Sequence, residues 1–137
     1  MRFVRAAATT VAPALAALLA AGAASAHPVG SASVNVTLDE MTISLSQTHV
    51  APGKVTFVAR NTGSVEHEFV VLRRAGSATP HVTHYRASEK GWVGEIDGVK
   101  PGQTRQTTLT LAPGHYDVIC NFPGHYQLGM RATLTVG

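Results

Sequence analysis

The stretch His115-Tyr116-Asp117-Val118-Ile119-Cys120-Asn121-Phe122-Pro123-Gly124-His125-Tyr126-Gln127-Leu128-Gly129-Met130-Arg131-Ala132-Thr133-Leu134-Thr135-Val136 contains two alternating runs joined by a short loop. In the first run Tyr116, Val118 and Cys120 share one face of a strand, and His115, Asp117 and Ile119 share the other. In the second, Met130, Ala132, Leu134 and Val136 alternate in the same way. The loop carries the chain's single cysteine in the spacing C-x4-H-x4-M. Cys120 ends one strand and Met130 begins the next, so two sulfurs face the same interior.

A thiolate, an imidazole and a thioether form a soft donor set that favours copper and lacks only a second nitrogen. His67 supplies it from the strand-like run Val65 to Leu72, where His67, Phe69 and Val71 share a face. His67, Cys120, His125 and Met130 thus spell a His2Cys site with a weak axial methionine, the donor set of one-electron transfer. A lone cysteine without these neighbours would read as a small buried hydrophobe or an intermolecular link.

Outward from this loop the pattern remains one of strands. Val34, Val36 and Leu38 alternate with polar residues, as do Met41, Ile43 and Leu45 beyond Asp39-Glu40. Pro52-Gly53 turns the chain into Val55, Phe57 and Ala59, and Asn61-Thr62-Gly63 turns it again towards His67. Residues 73 to 92, with Gly76 and Pro80, form a long irregular connection with room for a short helical turn. Order returns at Val93 to Ile96, and Pro101-Gly102 and Pro113-Gly114 bracket the run Arg105 to Leu111. Seven or eight short strands at this spacing predict an all-β, antiparallel-rich Greek-key sandwich.

The first 26 residues carry Arg2 and Arg5, an apolar run from Val11 to Ala21, and Ala24-Ser25-Ala26 before His27. This predicts an export signal cleaved after Ala26, leaving one domain over residues 27–137 in the periplasm, outside the cell or at its envelope. The apolar run is short and contains Pro13, which argues against stable membrane insertion. Two of the eleven Lys and Arg residues fall in that segment, leaving nine against eight acids. With no basic cluster interleaved with aromatics, nucleic-acid binding has no support in the sequence and is not expected. A monomer is the expectation.

Taken together the residues resemble the cupredoxin family of small blue copper proteins, such as plastocyanin, azurin and sulfocyanin. The resemblance is carried by Asn61-x-Gly63-x-x-x-His67, Pro101-Gly102, Pro113-Gly114-x-Tyr116 and Cys120-x-x-Pro123-Gly124-His125-x-x-x-Gly129-Met130. It implies one copper ion held by His67, Cys120 and His125 with Met130 as a long axial ligand. It also implies a docking face for redox partners, a cytochrome, oxidase or reductase, formed around His125 by Phe122, Pro123, Gly124, Tyr126 and Leu128.

Two departures stand out. Glu68 follows the ligand histidine where plastocyanin and azurin carry an asparagine that ties the two ligand segments together. Pro123 removes a backbone N–H that would otherwise approach the sulfur, a loss for which Asn121 is the available compensation. Cys120 is flanked by Ile119 and Asn121 rather than by the histidines of multicopper oxidases. A single cysteine excludes a binuclear centre, and one domain excludes a copper nitrite reductase, so no enzymatic activity is expected.

The remaining histidines receive no ligand role. His81 and His84 form H-x-x-H in the irregular connection without carboxylate neighbours, His27 would be a flexible new terminus, and His49 and His115 sit at a turn and on an outward face. Trp92 and Tyr116 are expected to serve as core or packing residues rather than to carry electrons. The leading expectation is a soluble one-electron carrier. Copper buffering, delivery or resistance at the envelope is the alternative, and a metal-free adhesive sandwich is a third reading.

Overall fold

The computed structural model describes residues 30–137, so the predicted export signal, its cleavage point and His27 lie outside the described residues. Eleven strands follow in chain order: β1 (Gly30–Asp39), β2 (Thr42–Leu45), β3 (His49–Val50), β4 (Gly53–Asn61), β5 (His67–Arg73), β6 (Val82–Thr83), β7 (Arg86–Ala87), β8 (Trp92–Val99), β9 (Thr104–Leu111), β10 (Gly114–Ile119) and β11 (Arg131–Val136). The two-residue strands β3, β6 and β7 account for the excess over the expected eight. No helix occurs among the described residues, and so none long and apolar enough to cross a membrane.

The strands form a sandwich of two sheets, ordered β2-β1-β4-β9 and β3-β11-β10-β5-β8, with β6 and β7 as a separate hairpin. Most pairs are antiparallel, but β1 runs parallel to β4 and β3 parallel to β11. The alternation read from the sequence decides which side chains turn inward. Val34, Val36 and Leu38 of β1 and Val55, Phe57 and Ala59 of β4 meet Phe69, Val71, Tyr116, Val118 and Leu134 from the other sheet. The rings of Phe57 and Phe69 lie 5.1 Å apart across the gap. Each fully buried side chain of this size contributes about 1.5–3 kcal/mol.

Residues 74–91 fold back over the outer face of the five-stranded sheet. They create a second, smaller core of Val70, Leu72, Ala87, Ile119 and Tyr126. Ile119, on the face opposite Cys120, is therefore fully buried. Asp117, on the same outer face, is covered too, and its carboxylate takes a two-pronged contact from the Arg74 guanidinium through Nη2 and Nε. The Arg74 pKa is raised, chiefly by that bond to Asp117. Asp117→Asn is expected to destabilise the protein by about 1–3 kcal/mol, the worth of charge-assisted hydrogen bonds in a partly covered site. A denaturant midpoint that stays unchanged would remove Arg74 and Asp117 from the account of stability.

Of the two aromatic residues expected in core or packing roles, Trp92 is not in the core. The residue is 53% exposed at the start of an edge strand, with its indole N–H donating to Glu95 Oε2 at 3.1 Å. Tyr116 is interior as expected, and its hydroxyl donates to the Ala112 carbonyl at 2.7 Å, which settles the one polar atom of a buried ring.

Candidate metal centre

The centre forms at one end of the sandwich, where β5 begins and the loop from β10 to β11 turns. Cys120 and Met130 face each other across the mouth of that loop, the Cys120 N–H donating to the Met130 carbonyl at 3.1 Å. Inside it, the Met130 N–H donates to the His125 carbonyl and the His125 N–H to the Phe122 carbonyl, both at 3.0 Å. These bonds compact the loop. Gly129 adopts φ 113°, a conformation open to glycine and strained for other residues, and thereby lets the chain re-enter β11.

His67 arrives from a remote part of the sequence because β5 pairs with β10. Asn61 fixes its approach. This buried side chain donates through Nδ2 to the carbonyls of Val65 (2.7 Å) and Val99 (2.8 Å), and its Oδ1 accepts the Gly63 N–H at 2.8 Å. It thereby joins the end of β4 in one sheet to the end of β8 in the other, beside the register partner of His67, Val99.

Three donor atoms converge as a result. His67 Nδ1 and His125 Nδ1 are 3.3 Å apart, Cys120 Sγ lies 3.3 Å from His125 Nδ1, and Sγ lies 4.0 Å from His67 Nδ1. A first-row ion bonded at about 2.0–2.3 Å to two imidazoles and a thiolate in one plane keeps those atoms roughly 3.5–3.8 Å apart, so the triangle fits the donor set. Met130 is fully buried in the same core. His67 and Cys120 are also fully buried, whereas His125 is partly exposed with the Phe122 ring 5.8 Å away.

The surroundings of these atoms are polar in specific places. Burial pushes the Cys120 thiol pKa up, against the smaller opposing effects of the Glu68 and Phe122 backbone N–H groups. The Glu68 N–H lies 3.4 Å from Sγ. Burial and the neighbouring His67 lower the His125 pKa, which favours the neutral ring that a metal requires. On the far side of His67, Nε2 is buried with no hydrogen-bond partner, although Glu40 Oε1 lies 3.5 Å away. Glu40 itself is held to a pKa of about 2, mainly by the Val65 N–H and also by that of Ser64.

Glu68 performs the tie that its sequence position put in question. Its carboxylate accepts the Asn121 N–H at 2.8 Å, joining β5 to the residue after the cysteine. Asn121 does not approach the sulfur. Its side chain exchanges hydrogen bonds with Ala87 N–H and carbonyl at 2.7 and 3.0 Å, and pins the covering segment to the ligand loop. Sequence reasoning missed Glu40 and Asn61 as parts of the site, although Asn61 stood in the quoted motif.

The expected docking face needs one correction. Leu128 and Pro123 are exposed beside His125, but Tyr126 is buried in the second core with the Arg131 guanidinium 5.0 Å from its ring centre. His81 and His84 gather no third donor, and His67, Cys120 and His125 form the only such group among the described residues.

Residues 11–136 match the family model described as a cupredoxin-like domain, a match that begins within the stretch read as an export signal. The chain is 29% identical over 97 residues to auracyanin-B of Chloroflexus aurantiacus, covering 61% of this chain and 40% of that one. It is 33% identical over 82 residues to the copper-resistant cuproprotein CopI of Vibrio cholerae, covering 56% and 46%. The chain thus spans less than half the length of these two curated relatives. Among solved structures, auracyanin A, a blue copper protein of Chloroflexus aurantiacus, superposes with a TM-score of 0.60 at 24% identity, over 79% of this chain and all of that one. Rusticyanin of Thiobacillus ferrooxidans gives 0.58 at 16% identity, over 77% of each chain. With a match that runs almost from end to end, a two-sheet sandwich and a His-Cys-His cluster at its tip, the chain belongs to the cupredoxin-like family.

Proposed function

We propose that this protein is a type 1 copper protein working as a one-electron carrier outside the cytoplasm, with His67, Cys120 and His125 as ligands and Met130 as the axial donor. The observation that carries the reading is the triangle of His67 Nδ1, Cys120 Sγ and His125 Nδ1, set by backbone pairing of β5, β10 and β11. A copper ion held there supplies a centre that gains or loses one electron. The protein's part is to hold the donors still. Asn61, Glu68 and the bonds within the ligand loop anchor each of the segments that carry them, so little has to move between the two oxidation states. Water is kept from His67 and Cys120 by full burial, while the partly exposed His125, flanked by Leu128 and Pro123, offers the route for electrons to a redox partner. The leader-like residues 1–26 support export.

Copper handling at the envelope is the second reading, favoured by the similarity to the copper-resistant cuproprotein CopI. Loading the purified protein with one equivalent of copper separates the two. A carrier is expected to lose copper to a competing chelator far more slowly than it exchanges electrons with a small redox dye. Rapid copper loss with slow electron exchange would replace the carrier reading with handling.

A further inference from the structure

We propose that Glu40 is a positioning residue for the metal centre, accepting the Nε2–H of His67 and thereby holding the reduction potential down. The inference rests on the copper reading above and deepens it. His67 directs Nδ1 at the other donors, so as a neutral ligand it carries its ring proton on Nε2. That nitrogen is buried on a ring with no solvent exposure, where an unpaired N–H is costly. Among the described residues Glu40 offers the one carboxylate within ion-pair reach of it, at 3.5 Å.

Glu40 is not a passing surface chain. It stands in the turn between β1 and β2, and its Oε1 accepts the N–H groups of Ser64 (2.7 Å) and Val65 (2.8 Å), three and two residues before His67. A side chain at Gly63 would collide with this carboxylate, so the glycine leaves the space that seats it. The same oxygen thus braces the segment entering β5 and faces the outer nitrogen of its first residue. Ligation at Nδ1 holds the imidazole with Nε2 3.5 Å from Oε1, close enough for a small shift of the carboxylate to complete the bond. A carboxylate there strengthens the imidazole as a donor and adds negative charge near the centre. Both effects favour Cu(II) over Cu(I).

The test compares copper-loaded wild type, Glu40→Gln, Gly63→Ala and Glu66→Gln by redox titration, and follows the His67 ring proton by NMR in the Cu(I) form. Glu40→Gln keeps the oxygen that braces Ser64 and Val65 and removes the charge. It is expected to shift the Cu(II)-to-Cu(I) affinity ratio about tenfold towards Cu(I), an upward move of about 59 mV, and to move the Nε2–H resonance upfield. Gly63→Ala, which displaces the carboxylate without neutralising it, is expected to act in the same direction. Glu66→Gln removes a charge from the exposed neighbour of His67 and is expected to do much less.

A Glu40→Gln potential no different from that of Glu66→Gln, or an unmoved Nε2–H resonance, overturns the role of Glu40. If wild type itself lacks an intense thiolate-to-copper absorption, the copper reading fails instead.

Discussion

Cys120→Ala is expected to abolish completely the intense blue or green absorption that Cu(II) gives with the wild-type protein. The colour requires a thiolate bonded to copper, and Cys120 is the only sulfhydryl in the chain. Its sulfur lies 3.3 and 4.0 Å from the two histidine nitrogens, so no second group could take its place. The variant should still fold. Removing one buried sulfur from a core of this size costs about 1 kcal/mol by analogy with other small truncations, well within the stability of a domain. Absorption titration with Cu(II) beside thermal unfolding of the apoprotein separates loss of the ligand from loss of the fold. Colour that survives in the variant would show that copper binds elsewhere, and the assignment of the centre would fall.

Asn61→Ala is expected to give the largest loss of stability among single polar substitutions, about 2–4 kcal/mol. The side chain makes three hydrogen bonds from a site with no solvent exposure, and its removal strands two carbonyls and an N–H. Those groups belong to Gly63, Val65 and Val99, which frame His67. The variant should therefore lose copper affinity along with stability, because the ligand's approach is loosened. For a domain of this size the melting temperature should drop by more than about 8 °C. A drop of a degree or two would mean that water satisfies the stranded groups and that His67 is held by β5 pairing alone.

The sheets and most of the cluster were readable in the sequence because both depend on local signals. Val34, Val36 and Leu38, or Tyr116, Val118 and Cys120, alternate strictly, and glycine and proline mark the turns between runs. Period and punctuation say nothing about which distant side chain fills a gap. Glu68 looked like a departure, since its reach to the Asn121 N–H crosses 53 positions. Glu40 bonds Ser64 and Val65 across 24 and 25 positions. Trp92 was misplaced for the opposite reason. Its bulk suggested burial, but it sits on an edge strand whose outer side meets solvent. Tyr126 shared a loop with exposed Leu128, and only the covering segment with Ala87 and Val82 shows why its ring turns inward.

The parallel pairing of β1 with β4 and of β3 with β11 bears on how fast the molecule assembles. Parallel neighbours cannot close through a tight turn, so β1 must wait for β4, and β11 must find a strand some eighty residues earlier. Domains dominated by such non-local pairings fold in roughly milliseconds to seconds rather than microseconds. The hairpin of β10 and β11 is local and can bring Cys120 beside His125 early, while His67 reaches them only when β5 docks. Throughout that interval the sole thiol lacks the cover that buries it in the finished sandwich. Oxidant present during refolding should therefore trap disulfide-linked pairs of chains, a hazard that ends once the slow strands have closed.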